Sequence, residues 1–443
     1  MLRRFAYVLV WLALTAEWSG VTFGGKWETF LTPISTALFT TLPLVHLQPW
    51  DLLVVVTLVA ARAQPAARRQ RVGPLLTSIR VTLGSLAVIW VWGVIFRGGN
   101  AYQTMFQLHY FIVGLLVAHM LMATCRSVAH IKSLGKVIFA AAIYRSLVLL
   151  AFYVLVASDM PELPPTMTSH GDTPLFVLGA LMPLVFAAQT RTLSSLGWLV
   201  AAAVPICTAI QLNNRRIAWL AVEVGAALSY WLLRKDKLKR RINAVLIALA
   251  PVAIAYVVVG WGHPTGIFKP VGSISSMFGQ HEDTSSQMRN IENYNLVQTL
   301  KSSPILGIGW GKEYHEIVVA YSIAGIFPQY RYMPHNSLLG VLAFTGMLGF
   351  VGVWQLVPVA SYFLARGYHA AETPVARTAG LLGILSLIVC SLQMWGDVGF
   401  NDLTTNVLVG ASIAVAGRLP VLVGAWPGAP AARPVTGGPS RTG

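Results

Sequence analysis

NSLLGVLAFTGMLGFVGVWQLVPVASYFLA, residues 336–365, contains no Asp, Glu, Lys or Arg. The run exceeds the roughly 20 apolar residues that cross a hydrocarbon core of about 30 Å as a helix. Only a helix or a closed barrel satisfies its own backbone in lipid, so this stretch reads as a membrane-spanning helix. Pro334, His335 and Asn336 stand at its mouth, which puts a titratable ring and an amide where lipid meets water. Packing alone requires neither.

Working outward, similar runs recur along the whole chain. Of its 443 residues 55% are hydrophobic and only 11% charged, and the mean hydropathy is +0.64, too apolar for a soluble globule. About twelve spans are expected, near residues 5–23, 46–62, 74–96, 101–124, 134–157, 173–190, 193–211, 216–233, 242–260, 336–365, 377–396 and 403–420. The first is interrupted by Glu17 and Trp18; a signal peptide is its alternative reading, although no A-x-A site ends it. The fold class is therefore all-α and polytopic.

A net charge of +16 raises the question of nucleic acid, but the cations fall in alternate loops. Arg3 and Arg4, Arg62 to Arg71, Arg126 to Lys136, Arg191, Arg234 to Arg241, and Arg366 with Arg377 all lie on one side of the count. By the positive-inside rule that side is cytoplasmic, both termini lie inside, and the partner is the membrane rather than nucleic acid. The intervening loops carry acids such as Asp159, Glu162, Asp172, Asp397 and Asp402. Cys125, Cys207 and Cys390 lie in or beside apolar runs without metal-ligand spacing and read as packing residues.

Four regions follow: spans one to nine (1–260), a large outer loop (261–334), spans ten to twelve (335–423) and a Pro-, Gly- and Ala-rich tail (424–443) expected to be disordered. The outer loop is far longer than the others, and long loops carry function. Within it, DTSSQMRNIENYNLVQTLKSSP (283–304) predicts a helix with Met288, Ile291, Leu296 and Leu300 at helical spacing. ILGIGWG (305–311) predicts turns that let backbone approach something closely.

Two basic features break the charge rule. Arg215 and Arg216 end the outer loop before the eighth span, and Arg289 lies in the expected first turn of the loop helix, where the dipole disfavours a cation. A shared anion accounts for both, with phospholipid headgroup anchors as the bland alternative. His335 ends the same loop on the same side. Arginine presents a planar fork to phosphate oxygens and imidazole takes a proton near neutral pH, a pairing suited to displacing a phosphate leaving group with a hydroxyl. No Asp-x-Asp pair announces a metal on the outer side; Glu282 and Asp283 are adjacent rather than spaced.

Supporting candidates stand nearby. Arg145 lies in mid-span and needs a partner; Glu223, two turns below Arg216 on the same helix face, is a candidate partner for Arg145 or for Arg216 itself. Asn336 adjoins the histidine, and Asp397 is placed to orient His335 or a sugar, or simply to form a turn. Trp310 and Lys312 are candidates for glycan contact. Gly346 and Gly349, with Ala343, read as a small-residue stripe for helix approach.

His335-Asn336, nine intervening residues and Gly346-Met347-Leu348-Gly349 resemble the histidine signature of bacterial O-antigen ligases, a superfamily that includes O-antigen polymerases and protein O-oligosaccharyltransferases. The span count, the late outer loop and the two arginine positions extend the resemblance over most of the chain. It implies a metal-independent, inverting glycosyltransferase with a GT-C-like fold, no cofactor and an active site facing the periplasm from the inner membrane. The implied donor is O-antigen on undecaprenyl pyrophosphate and the implied acceptor a sugar hydroxyl on lipid A–core, in lipopolysaccharide assembly. The family's histidine falls on His335 and its loop arginine on Arg289; its first arginine falls on Arg216 or, one register earlier, on Arg215. A polymerase or protein-glycosylating relative would share this chemistry. A transporter or lipid flippase is the reading from another class; against it, the sequence shows no internal repeat and its conspicuous polar groups lie at one face rather than at midplane.

Overall fold

The computed structural model describes residues 1–15, 37–42, 47–64, 72–160, 167–191, 193–233, 237–263, 266–268, 270–272, 275, 284–319 and 329–426. The second half of the first expected span, Glu282–Asp283 and the tail from 427 lie outside the described residues. Among those described there is no β-strand. In chain order the long helices are α1 (Leu2–Thr15), α2 (Pro49–Ala63), α3 (Gly73–Val91), α4 (Ala101–Thr124), α5 (Val128–Leu155), α6 (Asp172–Thr190) and α7 (Leu193–Asn213). They continue with α8 (Arg216–Leu232), α9 (Lys237–Trp261), α10 (Thr284–Ser302), α11 (Ser337–Trp354), α12 (Leu356–Ala370), α13 (Pro374–Gly396) and α14 (Leu403–Leu422).

Among the described residues, 8 helical units are long and apolar enough to cross a membrane. They comprise α3 with the π-helical turn that follows it, α4, α5, α6, α9, α11 with α12, α13 and α14. The other four expected spans correspond to α1, α2, α7 and α8. At a rise of about 1.5 Å per residue, the 15 residues of α2 fall short of a hydrocarbon core, and α1 is described only as far as Thr15.

The core is built around α14, whose apolar window is 89% buried and which packs on α4, α13 and α12. By contrast α9, with 0% of its window buried, turns its apolar side chains outward on every face, as lipid allows. Caps mark several of the boundaries legible in sequence. Asn100, Ser127, Thr373 and Asp402 each accept a backbone N–H in the first turn of α4, α5, α13 and α14.

One helix departs from its expected form. At Gly346 the backbone of α11 leaves helical geometry (φ 61°, ψ −173°), and a Cβ there would lie 2.3 Å from the carbonyl oxygen of Ile305. The freed groups are taken up by the glycine-rich stretch of the outer loop. Ile308 and Gly309 donate to the carbonyls of Ala343 and Phe344 (3.2 and 2.8 Å), while Met347 and Leu348 donate to Pro304 and Ile305 (2.9 and 3.1 Å). Irregular backbone persists beside a membrane only when its polar groups are satisfied this way. The same stretch presses on the π-helical turn after α3, where a Cβ on Gly309 would lie 2.1 Å from Gly93 Cα. Gly346 is thus a helix break and not part of a packing stripe; Gly349 does face α3, its Cβ position 3.0 Å from Ile89 Cγ1.

Candidate functional site

The break and the docked loop hold the start of α11 against α10. Asn336 is the N-cap, its Oδ1 accepting the Leu339 N–H at 3.1 Å, so its amide oxygen serves the helix. The preceding residue, His335, is turned toward α10. Glu292 accepts the His335 backbone N–H through Oε2 at 3.0 Å and faces ring Nδ1 at 3.3–3.4 Å, clamping main chain and imidazole with one carboxylate. Burial disfavours the imidazolium. The Glu292 hydrogen bond, its charge and that of Asp397 outweigh burial, so the His335 pKa lies above its ordinary value.

The second centre is Asp397, which ends α13 in extended conformation with its side chain only 2% exposed. Its Oδ1 accepts the Val398 N–H at 2.9 Å. Its Oδ2 is hydrogen-bonded to Nδ1 of His170 and lies 3.8 Å from Arg215 Nη1. Burial alone would raise this carboxyl's pKa. The His170 bond and the charges of His170, Arg215 and Arg289 reverse that, holding it well below the usual carboxylate range. The Asp397 carbonyl also accepts the Ser337 hydroxyl at 3.2 Å, which ties the end of α13 to the start of α11.

The arginines arrive from two further elements. Asn214 adopts the left-handed conformation (φ 54°) that asparagine tolerates, and the turn puts Arg215 at the N-cap of α8 and Arg216 at its first helical position. Arg215 points to Asp397, whereas Arg216 donates to Ser286 Oγ in α10 at 2.9 Å. Arg289 donates to the Gly396 carbonyl at 2.7 Å, next to Asp397. Because α10 is already helical at Thr284, Arg289 lies beyond its first turn. Burial and the neighbouring Arg289 both lower the Arg215 pKa, against the opposing pull of Asp397. Two cations repelling across a partly covered site favour an anion between them.

The supporting candidates divide. Arg145 pairs with Asp172, not Glu223: its Nε and Nη2 reach the Asp172 carboxylate at 2.9 and 2.5 Å, and Nη2 also reaches Thr168 Oγ1 at 3.5 Å. The reason is topological, since α5 packs against the start of α6, while Glu223 lies on an exposed face of α8 and forms no ion pair among the described residues. Trp310 is buried (1% exposed) between Phe344 and Phe400, so it is core rather than a sugar platform. Half-buried Lys312 donates to the Arg97 carbonyl.

Two residues of the cluster were not singled out from sequence. Glu292 had a readable signal, standing three residues beyond Arg289 and hence on the same helix face. His170 had none, because 227 residues separate it from Asp397. The concavity beside Tyr362, Arg366 and His369 lies on α12, at the far end of the α11–α12 unit, and takes no part in the cluster.

One end of the bundle therefore gathers an imidazole backed by a carboxylate, two arginines and a second histidine–carboxylate pair, drawn from the 167–172 segment, the α8 N-cap, α10, the α11 entry and the α13 end. Such a set can accept a proton from a hydroxyl and neutralise a departing phosphate. No curated protein matches the sequence. Residues 201–354 match the family model described as O-Antigen ligase, a stretch holding Arg215, Arg216, Arg289, Glu292 and His335 but not His170 or Asp397. That match, confined to residues 201–354, makes this part of the chain similar to the O-antigen ligase family and supports membership of it.

Proposed function

We propose that this protein transfers O-polysaccharide from undecaprenyl pyrophosphate to a sugar hydroxyl of lipid A–core, at the periplasmic face of the bacterial inner membrane, in lipopolysaccharide biosynthesis. The observation that carries the reading is the meeting of His335 with Arg215 and Arg289 at one end of the bundle, from segments far apart in sequence.

In this reading His335 removes the acceptor proton. With Nδ1 facing Glu292, Nε2 is the edge left for the hydroxyl, and the imidazolium that forms gains the full attraction of the carboxylate. The hydroxyl oxygen attacks the anomeric carbon from the face opposite the pyrophosphate, the C–O bond breaks with inversion, and the electron pair leaves on the pyrophosphate. Arg215 and Arg289 stabilise that charge as it develops, with Arg216 holding α10 in register through Ser286. Pyrophosphate is already a competent leaving group, so charge neutralisation and one base suffice.

The helix break at Gly346 does not favour a transporter. In transporters the backbone groups freed by broken helices bind substrate; here residues 304–309 occupy them.

Purified protein given lipid-linked O-antigen and lipid A–core, without nucleotide, is expected to yield the joined product. His335→Ala should abolish joining, and Arg215→Ala and Arg289→Ala should each lower it without loss of membrane insertion. Full activity in His335→Ala would remove the assigned base. Glycan extension on the lipid carrier with no transfer to lipid A–core would instead identify a polymerase.

A further inference from the structure

The cluster contains two imidazole–carboxylate pairs, and the proposed transfer uses only one. His170 lies between α5 and α6 in a segment anchored from both sides. Arg145 holds Thr168 and Asp172, Thr173 N–H bonds the His170 carbonyl at 3.2 Å, and Gln393 of α13 bonds that carbonyl at 3.1 Å. Through Nδ1 the ring is fastened to Asp397 Oδ2, the same oxygen that faces Arg215 Nη1, so imidazole and guanidinium stand side by side on one buried acid. The Asp397 side chain is 2% exposed, that of Arg215 15% and that of His170 42%. With Nδ1 fastened to Asp397 and the ring part-exposed, the edge left for a ligand is the one carrying Nε2.

Resting on the transferase reading, we infer that His170, as the imidazolium whose Nδ1–H is donated to Asp397, is a further ligand of the lipid-linked pyrophosphate, its Nε2–H donating to a phosphate oxygen beside Arg215. The charged groups around it are consistent with this role. Asp397 balances the ring and Arg215 together, and Asp172 is engaged by Arg145. Asp402 spends its carboxylate capping α14 at Thr405 N–H. No proton need move: His170 holds an oxygen that already carries the electron pair from the broken C–O bond, and the acceptor's proton goes to His335.

Two substitutions separate ligand from strut. The amide nitrogen of His170→Asn can replace Nδ1 and keep the bond to Asp397 while deleting Nε2; His170→Gln keeps a donor near Nε2 and loses the anchor. Binding of undecaprenyl pyrophosphate in detergent micelles is the readout, with thermal unfolding alongside. Asn is expected to retain the wild-type midpoint and to weaken binding by about tenfold or more, the scale of one charge-assisted hydrogen bond. Gln should weaken it less. Wild-type affinity in His170→Asn would overturn the inference and leave the transferase reading standing, whereas failure of the wild-type protein to bind the probe would overturn both. A measurement on unaltered protein covers a variant that does not fold. Undecaprenyl pyrophosphate should protect His170 from diethylpyrocarbonate, scored by mass spectrometry separately from His335, and unprotected His170 under saturating probe would refute the contact.

Discussion

Replacing Glu292 by Gln tests the base directly. The carboxylate holds His335 at two points, the backbone N–H at 3.0 Å and Nδ1 at 3.3–3.4 Å. Gln keeps the shape and one acceptor oxygen, which can still receive the backbone N–H. Its NH₂ then faces Nδ1 and donates to it, placing the ring proton of neutral His335 on Nε2, the edge that must accept the proton of the hydroxyl. The charge that stabilises the imidazolium is also gone. A hydrogen bond to a charged group contributes about 1.5–3 kcal/mol, so kcat should fall roughly ten- to a hundredfold if that support acts in the transition state. The pH dependence has a definite sign. Glu292 helps raise the His335 pKa against the opposing effect of burial. Without it burial dominates, the pKa falls, and the acidic limb of the kcat profile moves to lower pH. Joining of lipid-linked glycan to lipid A–core, followed across pH for both proteins with saturating substrates, gives both quantities. Unchanged kcat with an unmoved acidic limb would refute the dyad, since no other described carboxylate contacts the His335 ring.

Other substitutions probe the frame. Asp397→Asn leaves His170 and Arg215 without their counter-charge and should cost about 3–5 kcal/mol at neutral pH, read by thermal unfolding in detergent. Because the folded pKa of Asp397 is depressed, its contribution is fully present above the ordinary carboxylate value of about 3.9 and is lost as pH falls below it; the variant's deficit should shrink there, and a deficit independent of pH would count against the charge argument. Gly346→Ala places a Cβ at φ 61° and 2.3 Å from the Ile305 oxygen, so residues 304–309 should undock, seen as new proteolytic cleavage in that stretch together with lost activity. Arg145→Met strands the Asp172 carboxylate and should destabilise by about 3–5 kcal/mol, whereas Glu223→Gln should stay within about 0.5 kcal/mol of wild type in unfolding and unchanged in activity.

Much of the helical frame was legible because its signals are local. Apolar runs and alternating basic loops each depend on neighbours a few residues away. The loop helix was also readable, though it is already helical at Thr284, which puts Arg289 beyond the first turn. Partners were harder. Glu223 looked right for Arg145 by charge alone, but helix packing put Asp172 within 2.5 Å. Gly346 looked like a packing glycine because its positive φ has no signature distinct from that of a glycine in a stripe. His170 offered no pattern, since only the approach of the α6 entry to the α13 end gives it Asp397 as a partner.

By itself the sequence determined the solvent of this protein, the class of its fold and the chemical types at its candidate site, because hydrophobic length, caps and side-chain functional groups are properties of short stretches. Only the tertiary structure decided which charges share a carboxylate, which arginine turns to Asp397 and which to Ser286, and that two histidines lie in one cluster. Those pairings depend on how helices with almost featureless apolar surfaces pack, and on a loop whose backbone bonds complete a broken helix. Neither is encoded at any single spacing along the chain.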